Sequence, residues 1–148
     1  MNNFDLLNLE CLNYQVRRLS RMLATYYDQQ MLAKTGLRYT QFTMLVNIAA
    51  LDKPPKTILA NNMHMDRTTV SRNLEPLVAR GLVEEVRVMD GRIRHVKLTE
   101  KGGLMLEEAL PIWQVAVDKL IQDVGKQTYI DTNNLVRAIC AKLDCVRE

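Results

Sequence analysis

Apolar positions along this chain follow two rhythms. From Leu9 to Tyr26 they recur three and four residues apart, at Leu9, Leu12, Val16, Leu19, Leu23 and Tyr26. That is the stripe of an amphipathic helix that packs along another. Arg17, Arg18 and Arg21 fall off the stripe. Gly36 ends this helix, with Lys34 placed where the helix dipole favours a cation. A shorter buried helix comes next, with Thr40 as its expected N-cap and Phe42, Leu45, Val46, Ala49 and Ala50 as its apolar residues. Asp52-Lys53-Pro54-Pro55 breaks it.

Thr57 and Asp66 then predict two short capped helices separated by about four residues, the spacing of a helix-turn-helix. The second runs to Arg80 and stops at Gly81, with Val70, Leu74, Leu77 and Val78 facing inward. Pro76 inside it removes one amide, so a bend or a tightened turn is expected there.

Here the rhythm changes to that of strands. Leu82, Val83, Val86 and Val88 form a β-type run, Met89-Asp90-Gly91-Arg92 a tight turn, and Ile93 to Leu98 the return strand. Thr99 caps a long helix marked by Leu106, Leu110, Trp113, Val117, Leu120 and Val124, kinked or restarted at Pro111 and ended by Gly125. A last helix, capped by Asp131 or Thr132, presents Leu135, Ile139, Leu143 and Val146. The expected class is mainly α with a small β wing.

Length and composition narrow the reading. The 148 residues, 47% apolar and 25% charged, fit one globular domain. Neither a membrane-spanning run nor a secretion signal is evident, so a cytoplasmic protein is expected. Residues 1–101 carry 15 Lys and Arg against 10 Asp and Glu, whereas residues 102–148 carry 5 against 7. Positive charge therefore accompanies the helix-turn-helix and the hairpin. Cys11, Cys140 and Cys145 are an odd set without a short-loop framework, which fits a reducing compartment. Their spacing, and the isolation of His64 and His95, disfavour a metal site. No Ser-His-Asp set, phosphate loop or paired carboxylates are evident, so no enzyme and no cofactor are expected.

The chemistry in the centre is binding chemistry. Thr68, Thr69 and Ser71 offer short hydrogen-bonding groups, and Arg67 and Arg72 can reach guanine edges or phosphates. Asn73 can read adenine if it faces the groove. Arg92 and Arg94 sit on a turn narrow enough for a minor groove, with Asp90 as a support that holds the wing in shape. Helix, glycine, strand, Asp-Gly-Arg turn, strand and Leu-Thr cap is the order of a winged helix-turn-helix. The alternative is a winged-helix protein-interaction module without DNA binding.

These residues resemble the MarR family of transcription regulators. The likeness runs through Leu59-Ala60, Asp66 to Leu74, Leu77, Arg80 to Val83, Asp90-x-Arg92 and Leu98-Thr99-Glu100-Lys101-Gly102. It covers essentially the whole chain as one MarR-like domain, with dimerisation helices in 1–35 and 104–148 around a winged helix-turn-helix in 38–102. The resemblance implies a homodimer that reads a palindromic operator on double-stranded DNA, as a repressor. It also implies release by a small phenolic or aromatic ligand, or by oxidation of a cysteine near the amino terminus. Cys11, placed in the first helix with Tyr14, Tyr26, Tyr27 and Tyr39 after it, is the candidate redox sensor. A sensor cysteine needs access and thiolate character, and Arg17 and Arg18 lie one to two turns further on. Cys140 and Cys145 are read as spectators. Met22, Met31, Met44 and Trp113 are read as core or as pocket lining.

Overall fold

The computed structural model describes residues 11–87 and 94–145. These form six helices and one hairpin: α1 (Leu12–Thr35), α2 (Tyr39–Ala50), α3 (Lys56–Asn62), α4 (Arg67–Ala79), β1 (Val83–Arg87), β2 (Arg94–Leu98), α5 (Glu100–Val124) and α6 (Lys126–Cys145). The chain divides into two compact units, Met1–Trp113 and Gln114–Glu148, with the boundary inside α5. The mainly helical class with a β wing is the one expected from the pattern.

The first unit is built around one core. Met31, Leu37, Met44, Leu45, Leu59, Val70, Leu74, Leu77, Leu82, Val83 and Val96 are almost completely shielded from solvent. They come from α1 to α4, both strands and the turns between them, so the core clamps the helix-turn-helix to the hairpin. Met31 and Met44 belong to this core, whereas Met22 is exposed. Tyr27, Tyr39, Phe42 and Trp113 extend it as a series of neighbouring rings. Tyr27 and Tyr39 stack at 4.6 Å, and Phe42 and Trp113 lie 5.9 Å apart.

Helix ends differ from the expectation at four places. Cys11 is extended (φ −78°, ψ 105°) and precedes α1 as its N-cap, so it lies at the mouth of the helix rather than within it. Thr40 does not cap α2, because the helix starts at Tyr39 and Arg38, two residues before Thr40, is its N-cap. The free amides there are satisfied from elsewhere: Asp28 Oδ1 of α1 accepts from the Tyr39 N–H at 2.6 Å, and Gln41 Oε1 accepts from the Arg38 N–H at 2.9 Å. Thr57 lies inside α3, whose N-cap is Pro55. Neither Asp131 nor Thr132 starts α6, which begins at Lys126, directly after Gly125. Gly125 at φ 88° suffices as the break, and Asp131 accepts from Gln127 Nε2 one turn back within the helix.

Other stops are where the sequence puts them. Gly36 (φ 66°) ends α1 and its N–H donates to Leu32 O. Gly81 (φ 68°) follows α4. Helix α4 runs unbroken through Pro76 and α5 through Pro111. Of the four residues expected inside α4, Val70, Leu74 and Leu77 are buried, but Val78 is 40% exposed. Val78, eight residues after Val70, lies at the edge of that apolar stripe.

The long helices are less covered. Leu12, Val16, Leu19 and Met22 of α1 are exposed, and α1 buries only Tyr27, Met31 and Thr35. The stripe expected to pack along another helix is therefore open within this chain. Leu135 and Leu143 of α6 are 64% and 60% exposed. Leu9 and Val146 lie outside the described residues.

Candidate nucleic-acid interface

The interface begins with the turn between α3 and α4. His64 takes a left-handed conformation (φ 50°), and the Met65 N–H donates to Ala60 O at 2.9 Å. That tight return brings Asp66 to the start of α4 in extended backbone. Asp66 Oδ1 accepts from the Thr69 N–H at 2.8 Å and Oδ2 from the Thr69 hydroxyl at 2.7 Å. These two bonds hold the Asp66 carboxyl below the ordinary carboxylate range. The cap expected at Asp66 is present.

Helix α4 then sorts its polar residues. Arg67, Thr68, Arg72 and Glu75 are exposed. Thr69 is tied to Asp66 by its hydroxyl. Asn73 is half-buried and turned toward the Met65 sulfur, 4.0 Å from it. Ser71 is half-buried and lines a shallow groove with Lys56, Glu75 and Glu85. The helix thus leaves two arginines and a threonine exposed, while the other three sequence-predicted residues, Thr69, Ser71 and Asn73, are half-buried.

The hairpin pairs Val83 with Leu98 and Arg87 with Arg94 in antiparallel register. Asp90, the expected support of the turn, and Arg92 lie outside the described residues. Arg87, facing Arg94 across the strands, was not among the sequence-predicted site residues. The signal for it was its place at the end of β1, opposite a cation already singled out. Like charges directly opposite repel, and the arrangement supplies an anion nearby: Glu85 Oε2 lies 3.2 Å from Arg94 Nη1.

Glu85 has a second partner. Its Oε1 accepts from Lys56 Nζ of α3 at 2.5 Å, so one carboxylate joins both wing strands to the first helix of the helix-turn-helix. Lys56 first, and Arg94 after it, hold the Glu85 carboxyl below its ordinary range against the opposing effect of burial. Partly exposed pairs of this kind contribute about 0–1 kcal/mol each, so their main consequence is where they hold the cations. Two backbone contacts add to the anchorage. The Val96 N–H donates to Pro54 O at 3.0 Å, and His95 Nδ1 lies 2.8 Å from Lys53 O.

A winged helix DNA-binding domain model matches residues 38–102, from the N-cap of α2 to the first turn of α5. Among solved structures, the chain is similar to the Mycobacterium tuberculosis transcriptional regulator MosR in complex with DNA. The two are 34% identical, over 89% of this chain and 98% of that one, with a TM-score of 0.74. A second MosR structure gives 32% identity over 90% and 98%, with a TM-score of 0.72. The fold is also that of a mutant MarR from E. coli with operator DNA, at 18% identity, 90% and 96% coverage and a TM-score of 0.79. No curated protein sequence matches the chain.

The chain belongs to the MarR family. It is a winged helix DNA-binding regulator of transcription, and its relatives are regulators rather than enzymes. The Leu-Thr-x-x-Gly segment that carried the MarR resemblance has a physical reason here. The Thr99 hydroxyl donates to Gly81 O at 2.6 Å and accepts from the Gly102 N–H at 3.0 Å, and the Thr99 N–H donates to Leu82 O. A Cβ on Gly102 would collide with that same Leu82 carbonyl. Arg80 completes the joint: its guanidinium donates to Gly36 O at 2.7 Å, and its own carbonyl accepts from Lys101 Nζ at 2.8 Å. No helix among the described residues is long and apolar enough to cross a membrane, and no group of His, Cys, Asp or Glu among them is placed to hold a metal ion.

Proposed function

We propose that this MarR-family chain is a homodimeric repressor that reads a palindromic operator. Helix α4 lies in the major groove through Arg67, Thr68, Thr69, Ser71, Arg72 and Asn73, and the wing reaches the flanking minor groove through Arg92 and Arg94, supported by Asp90. The observation that carries this reading is the open outer side of α4, with Arg67, Thr68 and Arg72 exposed on a helix clamped by the core to a wing bearing Arg94. Residues 38–102 form the reading unit, and 1–35 with 104–148 supply the dimerisation helices.

Exposed apolar residues support the dimer. Leu12, Val16 and Leu19 on α1, Val115 and Val124 on α5, and Leu135 and Leu143 on α6 are large apolar side chains left open in the single chain. A twofold axis covers such surfaces in self-complementary pairs and sets half-sites about one DNA turn apart.

Release from DNA has two inputs in this proposal. One is a small phenolic or aromatic molecule, for which the partly buried rings of Tyr39 and Trp113, at the edge of the core, are the candidate contacts. The other is oxidation of Cys11, which is half-buried at the start of α1.

A footprint of the purified protein on its own genomic neighbourhood tests the reading, repeated with peroxide and with a phenolic acid. Arg92→Ala weakens the operator complex by about 1–3 kcal/mol. Unchanged affinity across Arg72→Ala, Arg92→Ala and Arg94→Ala overturns the assigned surface. In the peroxide arm, Cys11→Ser abolishes release if Cys11 is the sensor.

A further inference from the structure

The DNA reading assigns Arg94 to the wing but gives no role to Glu85 or Lys56. Glu85 is the one carboxylate among the described residues that bridges two cations of this surface, and both its oxygens are engaged, Oε1 by Lys56 and Oε2 by Arg94. The side chains of Lys56 and Glu85 are only 27% and 26% exposed, whereas that of Arg94 is 62% exposed. Lys56 stands in the first turn of α3 and lines one groove with Ser71 and Glu75 of α4. It is therefore beside the reading helix, where a free lysine would meet the phosphate backbone of any duplex. Phosphate contacts add affinity without sequence information. A negative charge among cations on such a surface lowers affinity for every duplex, and lowers it most where contact is only with phosphate.

We propose that Glu85 is a specificity-determining residue that pairs with Lys56 and Arg94 and so keeps both from acting as free phosphate ligands on random DNA, Arg94 leaving its pair only where the operator's minor groove receives it. This rests on the DNA reading above and deepens it. The pairs leave the wing's sequence-reading contacts to be made against operator geometry, while random duplex finds fewer free cations. A role confined to holding the fold would not change how binding to random DNA depends on salt, so salt dependence separates the two.

The test is a salt titration of binding to a random-sequence duplex by the full chain. Each freed phosphate contact steepens the dependence of log affinity on log salt by about 0.9. Between about 50 and about 200 mM salt, Glu85→Gln is therefore expected to lose about 3-fold to about 12-fold more affinity than the wild type, for one or two freed cations. At the lower salt it binds several-fold tighter than the wild type. Lys56→Gln is the second arm. With Glu85 present it leaves the random-duplex affinity and its salt slope nearly unchanged, as expected of a cation that makes no phosphate contact. In the Glu85→Gln background the same change lowers affinity several-fold. An unchanged or shallower salt slope in Glu85→Gln overturns the proposal. So does an equal loss from Lys56→Gln in both backgrounds, because Lys56 would then be free already. If Glu85→Gln does not fold, Lys56→Gln alone decides: retained affinity supports sequestration and a several-fold loss refutes it. A wild-type chain that binds no duplex even at low salt removes the DNA reading itself, an outcome seen before any variant is compared.

Discussion

At Gly102 the first turn of α5 passes directly against the Leu82 carbonyl, and the next residue, Gly103, has nothing within 4 Å of where its Cβ would lie. These neighbours should respond oppositely to the same substitution. Gly102→Ala forces a methyl against backbone, which cannot swing away as a side chain would, and should destabilise the chain by about 2–3 kcal/mol, within the range for overpacking. Gly103→Ala adds a methyl in open space and removes the helix cost of glycine, so it should stabilise by about 0.5–1 kcal/mol. Urea midpoints of the two variants check both signs, and equal shifts would show that the close approach is absent. The Leu-Thr-x-x-Gly pattern was legible in the sequence. Its reason was not, because the carbonyl that excludes a Cβ belongs to a residue on the far side of the hairpin.

Two elements, α4 and the wing, are each set by a carboxylate whose pKa the fold depresses. Asp66 is lowered chiefly by the Thr69 amide and hydroxyl, and Glu85 chiefly by Lys56. A depressed folded pKa contributes stability that is fully present above the unfolded value and lost as pH falls through the folded one. Melting temperature should therefore fall as pH drops below the ordinary carboxylate range, and Asp66→Asn and Glu85→Gln should each flatten that fall. A slope unaltered in both variants would place the acid sensitivity elsewhere. For α4 a local readout is available: Asp66→Ala should speed hydrogen exchange at the Thr69 amide, whose acceptor it removes. The Asp66 cap was legible because it is local, three residues from the amide it holds. The start of α2 was not, since its Tyr39 amide is satisfied by Asp28 from another helix, eleven residues back. Thr40 was the nearest capping residue, and a nearest-neighbour rule selects it wrongly. The start of α6 was missed for the opposite reason, because one glycine makes the break and no capping side chain is needed.

At the scale of the whole molecule, the apolar periodicity of α1 and α6 identified helices correctly but could not say what covers them. Met31 and Leu12 are both hydrophobic residues of α1; one is fully buried and the other 54% exposed. Sequence pattern marks a face as apolar, whereas only the fold shows whether this chain supplies the lid. The apolar residues left open on α1, and separately those on α6, favour a second copy over solvent, since exposed apolar surface is costly to hydrate. Sedimentation should accordingly find a dimer at micromolar concentration. Leu135→Lys places a charge at a position 64% exposed in the single chain, so it should leave the first unit's core and its hairpin intact while shifting the protein toward monomer. Affinity for a two-half-site operator should then fall far more than affinity for a single half-site, because linkage of the two readers is what is lost. If Leu135→Lys instead remains dimeric with unaltered operator binding, α6 lies outside the interface and the exposed row on α1 must be tested by the same substitution at Leu19. A wild-type chain that sediments as a monomer would remove the twofold reading of the operator altogether.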